Sequence, residues 1–155
     1  MDNLRNFFLK LWLMLTLIFI CACSSMMSVP VAFKISASDH INSYEHEASL
    51  PVRLRIYQLS DLNQFKEATF RELWKMDQKI LGDSLVSMKE LTVTPGLKNK
   101  LKIDRNEKTN YIGIVVIFRH PELGKWRAYQ KVSSQASSLL SSMSVEITGN
   151  SVRLK

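Results

Sequence analysis

Few residues in this 155-residue chain are suited to chemistry, and they are unevenly placed. Cys21 and Cys23, the only two cysteines, stand one alanine apart in "IFICACSS" (18–25). Such a pair could close a disulfide, supply half of a metal site, or offer one thiol for covalent modification. Three histidines, His40, His46 and His120, and the acids Asp39, Glu45 and Glu47 are the other candidates. His40 and His46 share the stretch "DHINSYEHEASL" (39–50) with all three acids, which raises a loop metal site. The competing reading is a set of solvated side chains on a segment with no frame to fix ligand geometry. Nucleophilic catalysis needs a base oriented beside its nucleophile, and the serines cluster instead in stretches of tether and linker composition. There is no zinc-ligand spacing, no phosphate-cradling glycine loop and no internal repeat. Enzyme is therefore the weaker class, and neither a metal nor a cofactor is expected.

The residues before the cysteines decide their use. Arg5 and Lys10 precede "LWLMLTLIFI" (11–20), an apolar run of about half the length needed to span a bilayer. A basic start, a short apolar stretch and small residues make the layout of a secretory signal peptide. A lipoprotein signal is cut after a small residue that precedes a cysteine. Ala22 precedes Cys23, whereas the bulky Ile20 precedes Cys21. "Ile20-Cys21-Ala22-Cys23" thus resembles a bacterial lipobox with Cys23 as the lipidated residue, several acyl chains giving stable anchorage where one alone is marginal. An ordinary signal peptide cut after Ala22, with Cys23 left as a free thiol, is the alternative. Either cut removes Cys21, so no disulfide pair and no second pair of metal ligands would remain. By the sorting rule of enteric bacteria, Ser24 in place of Asp implies release to the outer membrane.

Without residues 1–22 the chain keeps 133 residues, one domain's worth. The formal charge falls from +7 to +6, because the leader holds two bases and one acid. That excess would favour anionic headgroups near an acyl anchor, and an exported lipoprotein is not expected to meet nucleic acid.

Residues 23–30 read as a lipidated tether ending at Pro30, and 31–155 as the folded domain. "VAFKISAS" (31–38) and "PVRLRIYQL" (51–59) alternate apolar and polar residues with the period of a half-buried strand. The connection between them, 39–50, is long for a hairpin. A helical insertion at about 61–82 follows, with Thr69 and Glu72 spaced as a capping box. Phe70, Leu73, Trp74 and Leu81 fall on one face of a helix expected over 70–81, packed on a sheet and stopped by Gly82. Further strands are expected at 87–94, 97–104, 111–119, 125–132, 143–148 and 152–155. "YIGIVVIFR" (111–119) is apolar on both faces, so it belongs mid-sheet under cover on both sides. The serine-rich stretch 133–142 has no clear assignment. About eight strands separated by turn signals make the fold mainly β, a two-sheet β-sandwich with a short helical insertion after the second strand.

Two surfaces could bind partners. Lys98, Lys100 and Lys102 project from one strand face, either as a patch for headgroups or an acidic partner, or as a solvated face that discourages edge-to-edge pairing. The loop 39–50 carries Ile41, Tyr44 and Leu50 among its acids, and an amphipathic aromatic on a protruding loop is a suitable interface anchor.

"PVRLRIYQLSDLNQF" (51–65), then "FRELWKMDQKILGDSL", "LTVTPG" and "YIGIVVIFRHPELGKWR", resemble in their order the TssJ family of type VI secretion lipoproteins. The resemblance covers most of 31–155, together with the lipobox. It implies a transthyretin-like sandwich held by lipid in the inner leaflet of the outer membrane and facing the periplasm. It also implies a non-catalytic role: binding the periplasmic C-terminal domain of the inner-membrane protein TssM and, with TssL, building an envelope-spanning complex. The family's first inter-strand loop makes the TssM contact, which corresponds here to Asp39, His40, Ile41, Asn42, Ser43, Tyr44, Glu45, His46 and Glu47. The alternative function is a periplasmic lipoprotein that binds a ligand or cell-wall component through Lys98, Lys100 and Lys102.

Overall fold

The computed structural model describes residues 30–45, 47–132 and 142–155. The expected signal peptide (1–22), the tether with Cys23, His46 and most of the serine-rich stretch lie outside the described residues. Eight strands form two four-stranded sheets. One has the order β4-β1-β7-β8, from β1 (Pro30–Ile41), β4 (Lys98–Asp104), β7 (Ser142–Gly149) and β8 (Ser151–Leu154). The other has the order β3-β2-β5-β6, from β2 (Val52–Leu59), β3 (Leu85–Val93), β5 (Tyr111–Ile117) and β6 (Arg127–Lys131). β1 runs antiparallel to β4 and parallel to β7. The sandwich expected from the alternating pattern is present, and its inward residues meet in one core that includes Phe33, Ile35, Leu54, Ile56, Ile114 and Val145. Both sheets and this core are complete within 30–155, so that stretch can fold without the residues before it.

A second apolar cluster lies on the outer side of β2 and β5, under the insertion. Its short helices are α1 (Asn63–Glu67), α2 (Phe70–Lys75) and α3 (Asp77–Leu81). Phe65, Leu73 and Leu81 drop from them onto Tyr57, Leu59 and Val115. This cover explains why β5 is apolar on both faces. The capping box is formed: the Glu72 amide donates to Thr69 Oγ1, and the Thr69 amide donates to Glu72 Oε2. The Thr69 amide and the Thr69 hydroxyl both donate to Glu72 Oε2, and these two bonds hold the Glu72 carboxyl below its ordinary range.

The single helix expected over 70–81 is in fact broken at Met76, whose φ of −140° is not helical. Arg55 of β2 supplies the reason. Its guanidinium donates to the carbonyls of Leu73 (2.9 Å) and Trp74 (3.1 Å), filling the C-terminal end of α2, where a positive charge is favoured. Arg127 of β6 does the same for α1, donating to the carbonyls of Phe65 (2.9 Å) and Ala68 (2.6 Å). Helices this short are marginal alone; two arginines from the sheet staple them down. Trp74, expected in the apolar stripe, instead stays 38% exposed with the Lys75 ammonium over its ring.

Candidate docking site at the loop end

β1 runs three residues beyond its expected end, so Asp39, His40 and Ile41 belong to the strand and not to the loop. Ile41 is fully buried in the core. Asp39 lies beside the turn between β3 and β4, where the Gly96 amide donates to the Ser38 carbonyl and the Ala37 amide to that of Leu97. The connection to β2 is therefore 42–51, and its organising residue is Asn42.

Asn42 has a φ of 53°, in the left-handed region that asparagine tolerates better than most residues. Its Oδ1 accepts from the Arg119 amide (2.7 Å), and its Nδ2 donates to the Pro51 carbonyl (3.3 Å). Its own amide donates to the Gly149 carbonyl. One buried asparagine thus ties the β1–β2 loop to the segment after β5 and to the β7–β8 turn. Asn150 Nδ2 adds a bond to the Ser43 carbonyl (3.0 Å).

Above this base, the Glu47 amide donates to the Tyr44 carbonyl, closing a turn in which Glu45 has a φ of 49°. The Glu47 carboxylate pairs with the Arg119 guanidinium. The Tyr44 ring lies 5.2 Å from the His120 ring between centroids, and His120 Nδ1 is 3.1 Å from Glu122 Oε1. The loop's foot is pinned from two sides, while Tyr44, Glu45 and Leu50 remain exposed. Chemically this is a preorganised aromatic and acidic knob, suited to docking. Among the described residues no three His, Cys, Asp or Glu side chains converge to hold a metal.

Of the residues expected in the loop, the structure brings together Asn42, Ser43, Tyr44, Glu45 and Glu47. Arg119, His120 and Asn150 join them unforeseen. "HPELG" reads only as a turn, and contacts spanning 72 and 107 residues leave no local trace in a sequence.

Lys98, Lys100 and Lys102 do share the outward face of β4, an edge strand. Lys100 stands directly opposite Lys34 of β1 in the antiparallel register. Lys34 reads in sequence merely as one exposed position of an alternating strand. The base of the domain, where Pro30 pairs with Asp104, is the end remote from the loop. There the buried Gln58 donates to the Asp104 carbonyl and accepts from the Asn106 amide and the Thr109 hydroxyl.

The chain is a two-sheet β-sandwich with a stapled helical cover and a pinned loop at one end. Residues 29–150 match the family model described as type VI secretion lipoprotein, VasD, EvfM, TssJ, and the chain belongs to that family. Solved structures agree in fold. Lip from Serratia marcescens, described as a membrane-bound component of the type VI secretion system, superposes with a TM-score of 0.75 at 19% identity, over 81% of this chain and 96% of that one. The lipoprotein TssJ1 from Pseudomonas aeruginosa gives 0.72 at 25% identity, over 83% and 95%. A chain in a structure described as the TssM C-terminal domain (869–1107) from EAEC gives 0.67 at 21% identity, over 81% and 97%. No curated protein sequence matches the chain.

Proposed function

We propose that this protein is the outer-membrane anchor of a type VI secretion membrane complex. It is held by lipid on Cys23, faces the periplasm, and docks the periplasmic C-terminal domain of TssM through the loop 42–51. In this role it carries out no catalysis and meets TssL only through TssM. Its parts are a signal peptide (1–22), a lipidated tether (23–30) and the sandwich.

The observation that carries this reading is the placing of the two ends. β1 has 12 residues, roughly 36 Å of strand, and separates Pro30, where the tether joins, from Asn42, where the loop begins. A partner could reach the knob while the base stays at the membrane. The pinned foot lowers the ordering cost of binding, which otherwise subtracts from affinity. Membership of the family and the TssM structure that contains a similar chain support the choice of partner.

The test is site-directed photocrosslinking in cells that carry the cognate system. A photoreactive residue at position 44 should capture TssM, and one at position 66 on α1 should not. Equal capture at both, or at neither, would overturn the loop as the docking site. In the same cells Cys23→Ser should move the protein out of the outer-membrane fraction.

A further inference from the structure

The outward face of the β4-β1-β7-β8 sheet has no helical cover among the described residues, and four lysines stand on its β4 and β1 strands. Lys34 and Lys100 face each other in direct register, flanked along β4 by Lys98 opposite Ser36 and Lys102 opposite Ala32. Like charges directly opposed across a ladder destabilise it. No carboxylate among the described residues lies within ion-pair distance of any of these four ammonium groups. Further along the sheet, by contrast, Glu146 of β7 pairs with Arg153 and Lys155. Protection of an exposed strand edge accounts for lysines on β4, but not for Lys34, because β1 lies between β4 and β7.

We propose that this face is a headgroup-binding surface that rests on an anionic phospholipid membrane. Four points favour a membrane over a protein partner. The charges are lysines, compact hydrated cations depleted from protein interfaces and common where chains meet anionic lipid. None of the exposed large apolar side chains of the described residues lies on this face, so it lacks the aromatic anchors of a protein hot spot. Lys34, Lys98 and Lys100 line a shallow groove with Ser36 and Ser144, whose hydroxyl donors suit phosphodiester oxygens. The patch also begins beside the base: Lys102 lies opposite Ala32, two residues from Pro30, where the tether joins. From Cys23 to Pro30 the chain can reach roughly 25 Å, enough to lay the face on the bilayer that the lipid enters. The anchor on Cys23 belongs to the proposed function; the lysine register stands without it. Membrane contact through this face would fix the domain's orientation and leave the loop end free.

The test is co-sedimentation of the unlipidated domain, residues 24–155, with phosphatidylcholine vesicles, with and without about one third phosphatidylglycerol. Neither Cys23 nor TssM takes part, so the result is independent of the docking and anchoring assignments. Binding is expected only to the anionic vesicles and should vanish near 0.5 M salt, where screening is nearly complete. Lys34→Glu/Lys100→Glu should lower partitioning by at least about 25-fold, from roughly fivefold per basic residue at such a surface. Lys66→Glu/Lys79→Glu, with the same net charge but altered on the helical insertion, should bind nearly as wild type. All four positions are exposed, so both variants should fold, and thermal unfolding would verify it. Equal loss in both variants, or no binding to anionic vesicles by the wild type, would overturn the proposal. Binding to purified cell-wall sacculi with none to vesicles would also overturn it, in favour of a wall ligand.

Discussion

Arg119 and Glu47, 72 residues apart in the chain, form an ion pair that clasps the first inter-strand loop to the segment leaving β5. Beneath it, the Arg119 amide donates to Asn42 Oδ1, so a single residue holds both the crown and the foot of the loop. The pair is exposed, 39% and 45% at its two side chains, and such pairs contribute only about 0–1 kcal/mol to stability. Its value lies in geometry.

Arg119→Ala should therefore leave the urea midpoint nearly unchanged while weakening capture of the partner several-fold. Asn42→Ala should do more, because it removes two side-chain bonds from a buried foot and puts alanine at a positive φ. Denaturant titration beside partner binding separates the two effects. A large loss of stability in Arg119→Ala would contradict this reading of the pair.

Arg55 is the keystone of the helical cover. It joins Asp77 (3.2 Å) and Glu90 (2.6 Å) as well as the end of α2, and its side chain is only 12% exposed. Burial lowers its pKa, but the bond to Glu90 and the neighbouring Tyr57 and Asp77 outweigh that and leave it raised. Arg55→Met should cost about 2–4 kcal/mol, since it removes the cation beside Asp77 and Glu90 and the side-chain donor to two helix carbonyls. Hydrogen exchange should show the insertion opening ahead of the sheets.

Much of the fold was legible in sequence because alternation, turn dipeptides and the Thr69–Glu72 spacing are local signals. The apolar double face of 111–119 correctly implied a cover on both sides. The break at Met76 was not legible, since its cause, Arg55, lies in a strand 21 residues earlier and reads as an ordinary outward arginine. The end of β1 is not legible in sequence because the period-two pattern fades at Asp39 and His40, although hydrogen bonds to the 94–97 turn and the β7 register carry the strand on to Ile41. The "Tyr-Gln-Leu" of 57–59 acquires physical reasons only in the structure: Tyr57 and Leu59 lie under the helices, and Gln58 ties the base.

Tyr57 should shape the alkaline limit of stability. Burial, first, and the neighbouring Asp77 raise its phenol far above the ordinary value, while Arg55 only partly offsets them. Below about pH 10 both folded and unfolded forms keep the proton, so its contribution is constant. Above that, the unfolded chain releases the proton while the folded one retains it, so stability falls as pH rises. Tyr57→Phe should flatten that part of the decline, measured as the difference between the two stability–pH profiles.

Gly113, in the middle of β5, is a packing requirement. A Cβ there would come within 2.7 Å of the Phe65 ring and 3.2 Å of Leu59. Gly113→Val should destabilise by at least about 1–3 kcal/mol by lifting α1 from the sheet. Phe65→Ala in the same chain should recover part of the loss, and a purely additive double variant would contradict this contact.

The most direct measurement is a calorimetric titration of residues 24–155 with the periplasmic domain of the cognate TssM. It should be run beside a variant whose residues 42–47 are replaced by a glycine–serine linker. The account predicts saturable binding by the wild type and none by the variant, with the sandwich still folded by circular dichroism. Unchanged affinity in the loop-replaced variant would contradict it.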